Sequence, residues 1–473
     1  MGFPLALLIC SVGIAGLFIL NRDKSIRTSP ALWLTVIWLW IIGSRPVSAW
    51  LGPGSGGYSL DATLEGSPTD AFIFTALIAV GIIVLVRRRK RAKVFLKASL
   101  PVLIYFAYCL LSLGWSPIPD VAFKRWIKAT GDVVMVLIVV TDVDPIAALR
   151  RLFSRVGFIL FPASIVLIRY TDLGRGYTPD GQPMNTGVTT NKNTLGLVVF
   201  VIGLGVLWGL RALLRDRDQP HRRRRLLAQF TLLAFVMALL QMAHSATSVA
   251  CFVLGSTIML LTGLRVIRRS PAAVRTVVLT IALTGGLAYL SGADEMVIRA
   301  LGRKPDLTGR TDIWKAIIPM ARNPIIGVGY ESFWNSMSQT LSTLDRFEFG
   351  NLVSAHNGYL DIYLNIGLVG VGLVALILIH GYLRASVAFR RDPGFASLIL
   401  CYIATAAIYS VTEAGFKPLC PMWFFLLLSV IGAGGIAAGV AEGAPEHLGE
   451  PADRAVDLVT SDTYGVGHLW NEK

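Results

Sequence analysis

The segment "SAHNGYLDIY" sets His356, Asn357 and Asp361 beside a long apolar run, and "SVTEAGFKP" sets Glu413 and Lys417 beside another. "TTNKNTLG" places Lys192 between Asn191 and Asn193 where an apolar run begins, downstream of Arg169 and Arg175 in "RYTDLGRGYTPDG". "LTGRTDIWKAI" puts Arg310 directly after Gly309 at an expected helix start, with Thr311 and Asp312 in the first turn. A charged group beside an apolar span must offset its desolvation with a partner, so each of these is a functional candidate by default. Cations in Gly-, Asn- and Thr-rich turns, together with backbone N–H groups, can hold an anionic headgroup. An imidazole beside such cations binds its proton less tightly, which suits a general base near neutral pH. The competing readings are headgroup contact, snorkelling and local ion pairs. For Lys128 and Asp132, spaced i, i+4, a simple pair is expected.

These residues need elements to position them, and composition says what kind. The 473 residues are 54% apolar and only 15% charged, with a mean hydropathy of +0.62; soluble domains carry roughly a quarter charged residues. Apolar runs long enough to cross a bilayer, about 20 residues, recur from one end to the other. The expected fold is all-α, a polytopic membrane protein with roughly twelve or thirteen transmembrane helices. Candidate spans fall at 3–20, 31–43, 70–86, 98–114, 129–141, 153–168, 194–213, 226–243, 248–264, 274–291, 358–380, 396–412 and 422–440, of which 129–141 is the weakest because it is short and contains Asp132. The run "FPLALLICSVGIAGLFIL" lacks a preceding basic residue and a following small-residue cleavage site, and is read as a retained first span.

The basic stretches "RRRKRAK", "LRRLFSR", "RDRDQPHRRRR", "RVIRRS" and "RASVAFRRD" all fall on one side when the spans alternate. The positive-inside rule makes that side the cytoplasm, and it accounts for the net charge of +15 without nucleic acid. The outer side then owns 44–69, 115–128, 169–193, 292–357 and 413–421. Residues 1–441 read as one transmembrane catalytic domain, with 292–357 as a large folded outer loop. The acidic, Gly- and Pro-rich tail 442–473 reads as disordered and cytoplasmic. No internal repeat of the transporter kind is evident. The five cysteines are scattered, mostly within spans, with no metal spacing or evident pairing. No HExxH, Walker loop or GxSxG occurs. "TDVDP" offers Asp142 and Asp144, for which helix capping is the preferred reading. No metal and no cofactor is called for.

"LTGRTDIWKAIIPMARNPIIGVGYESFW", followed by "SAHNGYLDIYLNIGLVGVGL", resembles the signature region of the O-antigen ligase and polymerase superfamily, and within it the exopolysaccharide-polymerase branch. "NKNTLG", the Thr412–Glu413 pair and "IIGSRPVSAW" are similar to further positions of the family, so the resemblance runs from about Ser44 to Leu427. It implies a multi-span glycosyltransferase of the GT-C type in the bacterial inner membrane, active at the periplasmic face. Such an enzyme moves a glycan from undecaprenyl diphosphate to an acceptor hydroxyl with inversion, needing neither a nucleotide sugar nor a metal. The implied partners are the lipid-linked oligosaccharide, the acceptor glycan and membrane lipid, with a flippase and a chain-length regulator beside them.

Carried over residue by residue, the resemblance makes His356 the general base and Arg310 the main diphosphate clamp. Lys192 or Arg175 would supply the second diphosphate cation, and Glu413, Asn357 and Asn193 would support the site. Many polymerase-like members have His at the position of Asn191, where this chain departs from the pattern. Polymerisation of polysaccharide repeat units is the expected function. A ligase transferring glycan to an acceptor such as lipid A core is the alternative within the family, and a lipid-linked oligosaccharide flippase the alternative outside it. A flippase would want charges deep in its spans, whereas these gather at one face under one loop.

Overall fold

The structure, a computed structural model, describes residues 2–23, 27–52, 67–178, 181–264, 276, 280, 313–337 and 353–437. Its regular elements among the described residues are helices, apart from one hairpin. In order it forms α1 (Phe3–Leu20), α2 (Leu32–Ile42), α3 (Val47–Leu51), α4 (Pro68–Arg87), α5 (Arg89–Ala98), α6 (Leu100–Leu111), α7 (Pro119–Val140) and α8 (Pro145–Tyr170). The hairpin β1 (Arg175–Tyr177) and β2 (Pro183–Asn185) follows, then α9 (Lys192–Arg215), α10 (Arg222–Ala243), α11 (Ala246–Leu261), α12 (Gly358–Arg391), α13 (Pro393–Thr412) and α14 (Pro421–Ala437).

Seven of these helices are long and apolar enough to cross a membrane, or eight if the bent pair α5 and α6 is one span. Helices α2, α11 and α14 are shorter apolar segments. Every span expected from the sequence overlaps a helix except 274–291, of which only residues 276 and 280 are described; the tail 442–473 and Arg310 lie outside the described residues. Two expectations change in detail. The weak span at 129–141 is the second half of a 22-residue helix that begins at Pro119, so most of 115–128 is helix and not loop. The basic run 89–98 is itself helical and bends by 87° into α6.

Packing follows from the bilayer as solvent. Helix α1 buries only Ala6 and Leu17 of its eighteen residues, because an apolar surface facing lipid costs nothing. Helix α14 is the opposite case: every residue from Pro421 to Ile436 is buried, against α12, α13, α7, α5 and α9. A second, smaller core gathers Ile317, Val328, Phe333, Trp334, Met337, Ala355 and Leu364 where 313–337 meets the start of α12.

Helix α12 is broken. Ile366 and Gly367 leave helical geometry, Gly367 at φ +67°. The segment Asn323–Gly329 fits into the gap and takes over the freed backbone groups. Leu368 N and Val369 N donate to the carbonyls of Pro324 (2.8 Å) and Ile325 (3.1 Å). Gly329 N donates to Asn365 O at 2.7 Å. An unpaired peptide among apolar helices would cost several kcal/mol, so a break there must be matched by another backbone. The approach is close: a Cβ at Gly367 would lie 2.1 Å from Ile325 O, and one at Gly327 would lie 2.3 Å from Asn365 O.

Side-chain polar groups do the remaining fastening. Asp144 caps α8 by accepting from Ala147 N at 2.9 Å, and Asp142 accepts from Ser29 N at 3.0 Å, so both carboxylates of "TDVDP" serve the backbone. The expected Lys128–Asp132 pair does not form. Asp132 turns inward, accepting from Trp38 Nε1 at 2.8 Å and from Leu419 N at 3.1 Å, while Lys128 lies over the Phe74 ring. Burial decides this: the carboxylate is fully enclosed and finds two fixed N–H donors there. Asp132→Ala should therefore destabilise the protein by about 2–5 kcal/mol, the cost of two buried N–H groups left unpaired. Thermal denaturation in detergent measures it, and an unchanged midpoint would mean that Asp132 does not hold Leu419.

Candidate active site

The site forms where the N-terminal ends of α9 and α12 meet the segment between α13 and α14. Asn357 is the N-cap of α12, its side chain accepting from Tyr359 N and Leu360 N, each at 3.0 Å. Asn191 is the N-cap of α9, accepting from Thr194 N at 2.8 Å. Asn favours both positions because its short side-chain oxygen reaches the free N–H groups of the first turn.

His356 precedes the α12 cap in left-handed backbone, at φ +49°. Asp361, one turn into the helix, fixes the approach to it. One carboxylate oxygen accepts from Ala355 N (2.9 Å) and Trp334 Nε1 (3.0 Å), and the other from Ser354 Oγ (3.0 Å). Trp314 Nε1 donates to Ala355 O at 2.8 Å. Asn365, the next turn on, accepts from Ser332 N and Phe333 N and donates to Asp361 O. Sequence reasoning named Asp361 as a candidate without assigning it a role and left Asn365 aside; here they join residues 330–337 to the run 353–356.

Glu413 faces His356. His356 Nδ1 lies 3.4 Å from Glu413 Oε2, and Asn193 Nδ2 donates to Glu413 Oε1 at 2.9 Å. The Glu413 carbonyl accepts from Gly358 N at 3.0 Å, so the residue grips α12 by its backbone as well. Its side chain is 9% exposed against 41% for His356, which leaves the imidazole as the reachable partner. An ionised carboxylate only accepts, so Nδ1 carries the hydrogen and Nε2 keeps a lone pair. At 3.4 Å the contact is at the long end of hydrogen bonding.

The "NKN" run thus divides its work. Asn191 caps the helix, Asn193 holds Glu413, and Lys192 between them is half-buried with no hydrogen bond or ion pair to its ammonium among the described residues. Arg175 goes elsewhere: it lies on the hairpin, 53% exposed, paired with Asp172 at 3.1 Å. Lys417 Nζ donates to Val353 O at 2.5 Å and ties the Glu413 segment to the His356 segment a second time. Arg45, for which the sequence suggested no role, is buried and donates to the carbonyls of Gly187 and Leu173 and to Thr186 Oγ1, which seats the loop leading into Lys192. Among the described residues no three His, Cys, Asp or Glu side chains converge as a metal site would need.

A family model described as O-antigen ligase matches residues 230–375, a span that contains His356, Asp361 and Asn365. Over the matched region the chain is similar to the O-antigen ligase family. The exopolysaccharide production protein ExoQ of Rhizobium meliloti (strain 1021) is 27% identical over 305 residues, which is 60% of this chain and 66% of that protein. The chain therefore aligns with a little under two thirds of ExoQ's length. Within the matched region, His356 stands just before the start of the broken helix α12. Lys192, Asn193 and Glu413 lie outside the matched residues and reach the site only through the fold.

Proposed function

We propose that the protein transfers a glycan from a polyprenyl diphosphate carrier to a hydroxyl of an acceptor sugar, and so lengthens a polysaccharide. The observation that carries this reading is the His356–Glu413–Asn193 chain, built at one end of a membrane bundle in a region similar to O-antigen ligases. His356 Nε2 takes the proton of the acceptor hydroxyl. The oxygen then attacks the anomeric carbon from the face opposite the leaving group, and the new C–O bond forms with inversion. The carbon–oxygen bond to the diphosphate breaks, and the diphosphate departs with the electron pair. Glu413 holds the imidazole in the tautomer that presents Nε2 and steadies the imidazolium that results.

Negative charge grows on the departing diphosphate, and a fixed cation in a water-poor site stabilises it strongly. Lys192 is the described residue suited to this, beside Asn193 and with no hydrogen bond or ion pair to its ammonium among the described residues. Arg310, as the main clamp, enters on the sequence resemblance alone. The basic stretches at the opposite helix ends support a cytoplasmic assignment for that side and a periplasmic one for His356.

The relative's name, an exopolysaccharide production protein, favours a polymerase; the family model's description favours a ligase. Deletion of the gene separates them. A polymer ladder that collapses to one repeat unit on the carrier means polymerase, and intact polymer retained on the carrier means ligase. Normal polymer on its normal acceptor would refute both. With purified protein and lipid-linked repeat unit, Lys192→Ala should lower kcat/KM about 10- to 100-fold, the loss expected for one charge-assisted contact to a phosphate. Unchanged kinetics would remove Lys192 from the site.

A further inference from the structure

One acidic residue near the site has no task in this scheme. Glu331 lies on the loop that feeds the broken helix, two residues after Gly329 and one before Ser332. Its backbone is left-handed, at φ +50°. Glycine or asparagine takes that conformation readily, while a glutamate pays for it in strain, and such strain gathers at functional sites. The loop is firmly held around it: Tyr330 N donates to Ser112 Oγ, Ser332 N to Asn365 Oδ1, and Arg125 to the Glu331 carbonyl. The backbone is thus fixed so as to present this one side chain.

Among the described residues the carboxylate itself is given no hydrogen-bond partner. Asp23, Asp70, Asp132, Asp142, Asp361 and Glu413 are each buried and each accept at least one hydrogen bond. Among the described residues Glu331 accepts none and forms no ion pair, yet it stays partly exposed. Burial pushes its carboxyl above the usual range; Lys417 and Arg125 favour the charged form and Asp361 opposes it. The same segment is tied through Trp334 to Asp361, and Asp361 holds Ala355, so the segment that carries Glu331 is fastened to the one that leads into His356.

We infer that the Glu331 carboxylate binds the hydroxyls of a sugar ring in the site. A carboxylate accepts two O–H donors at once, and such charge-assisted bonds are the strong ones. It would repel the diphosphate, so its ligand is the uncharged glycan portion of a substrate. That glycan belongs either to the acceptor or to the donor. The inference rests on the transferase reading above, and its test separates the two.

The probe is the repeat-unit oligosaccharide released from its lipid carrier, added to purified protein in nanodiscs while thermal stability is followed. Wild type should be stabilised, and Glu331→Gln should need about tenfold more oligosaccharide or above for the same shift. Glu331→Asp should recover part of the loss. Glu331→Asn keeps the backbone and removes the reach of the acid, and should behave like Glu331→Gln. Glu331→Gly should raise the melting temperature without sugar and lose the response to it. His356→Asn should still respond, which keeps binding distinct from turnover. If Glu331→Gln or Glu331→Gly responds as wild type does, or if wild type gives no response, the inference is wrong. Absent turnover with a normal sugar response would instead refute the proposed function alone. In turnover assays, a raised acceptor KM assigns the glycan to the acceptor and a raised donor KM to the donor; a fall in kcat with both KM values unchanged overturns the inference.

Discussion

On the proposed function, His356→Asn should lower glycan transfer about 10²- to 10⁴-fold, the range that a positioned general base supplies, with the protein still folded. Asparagine is the informative substitution because His356 sits at φ +49°. Asn tolerates left-handed backbone, whereas Ala would add strain and confuse a folding defect with lost chemistry. The effect should be large because Nε2 is the one lone pair that the geometry leaves unclaimed on this imidazole. Glu413→Gln should lose less. It retains the shape and the bond to Asn193, but an amide can present N–H to Nδ1 and select the wrong tautomer. Conversion of lipid-linked oligosaccharide by purified variants measures both. Turnover of His356→Asn at the wild-type rate would sink the assignment of the base, and a Glu413→Gln loss exceeding that of His356→Asn would sink the order of roles.

Gly367→Ala should detach the active-site loop while leaving the bundle standing. The position has φ +67°, and the added methyl would lie 2.1 Å from Ile325 O and 2.2 Å from Ile325 C. Both are backbone atoms of the inserted segment, so no side chain can swing aside. Strain of about 1–3 kcal/mol for the backbone is joined by the loss of the hydrogen bonds that cross the break. The bonds of Leu368, Val369 and Gly329 go together because they share one approach. With them goes the support of Asn365 for Ser332 and Phe333, and so the seat of Trp334 on Asp361. The expected signature is unchanged far-ultraviolet dichroism, new protease cutting within 313–337, and transfer reduced at least as far as in Glu413→Gln. Wild-type protease resistance together with wild-type activity would show that the break does not carry the site.

Much of this was legible in the sequence, and the parts that were not share a physical reason. Long apolar runs reveal helices because a bilayer demands them, and α4, α8, α9 and α13 fall where the runs do. The start of α12 at Gly358 agrees with the polar stretch ending there. Its break does not show, because "LNIGLVG" reads as uninterrupted apolar helix and the partner that fills the gap lies more than thirty residues upstream. Asp132 misled for a related reason: i, i+4 spacing to Lys128 is a local signal, while the donors it met are on α2 and beside α14. The grouping of His356 with Glu413 and Asn193 joins three separate segments, and spacing alone carries no trace of it. Glu331 had a weak signal that could have been used, an acid set in "GVGYESFW" just after two glycines.

The enclosure of α14 bears on how the protein is made. A helix buried on every side cannot be the first piece of a bundle, and this one comes near the end of the described chain, after the helices that surround it. The earlier helices must enter the bilayer around a vacancy and close on α14 when it emerges. The segment 413–420, which brings Glu413 and Lys417 to the site, is anchored by Leu419 immediately before that helix. The histidine is thus synthesised well before its partner carboxylate can be set in place. Insertion and assembly of the candidate site become one event: a nascent or truncated chain that lacks α14 holds its earlier spans but not the joined His356 and Glu413 segments.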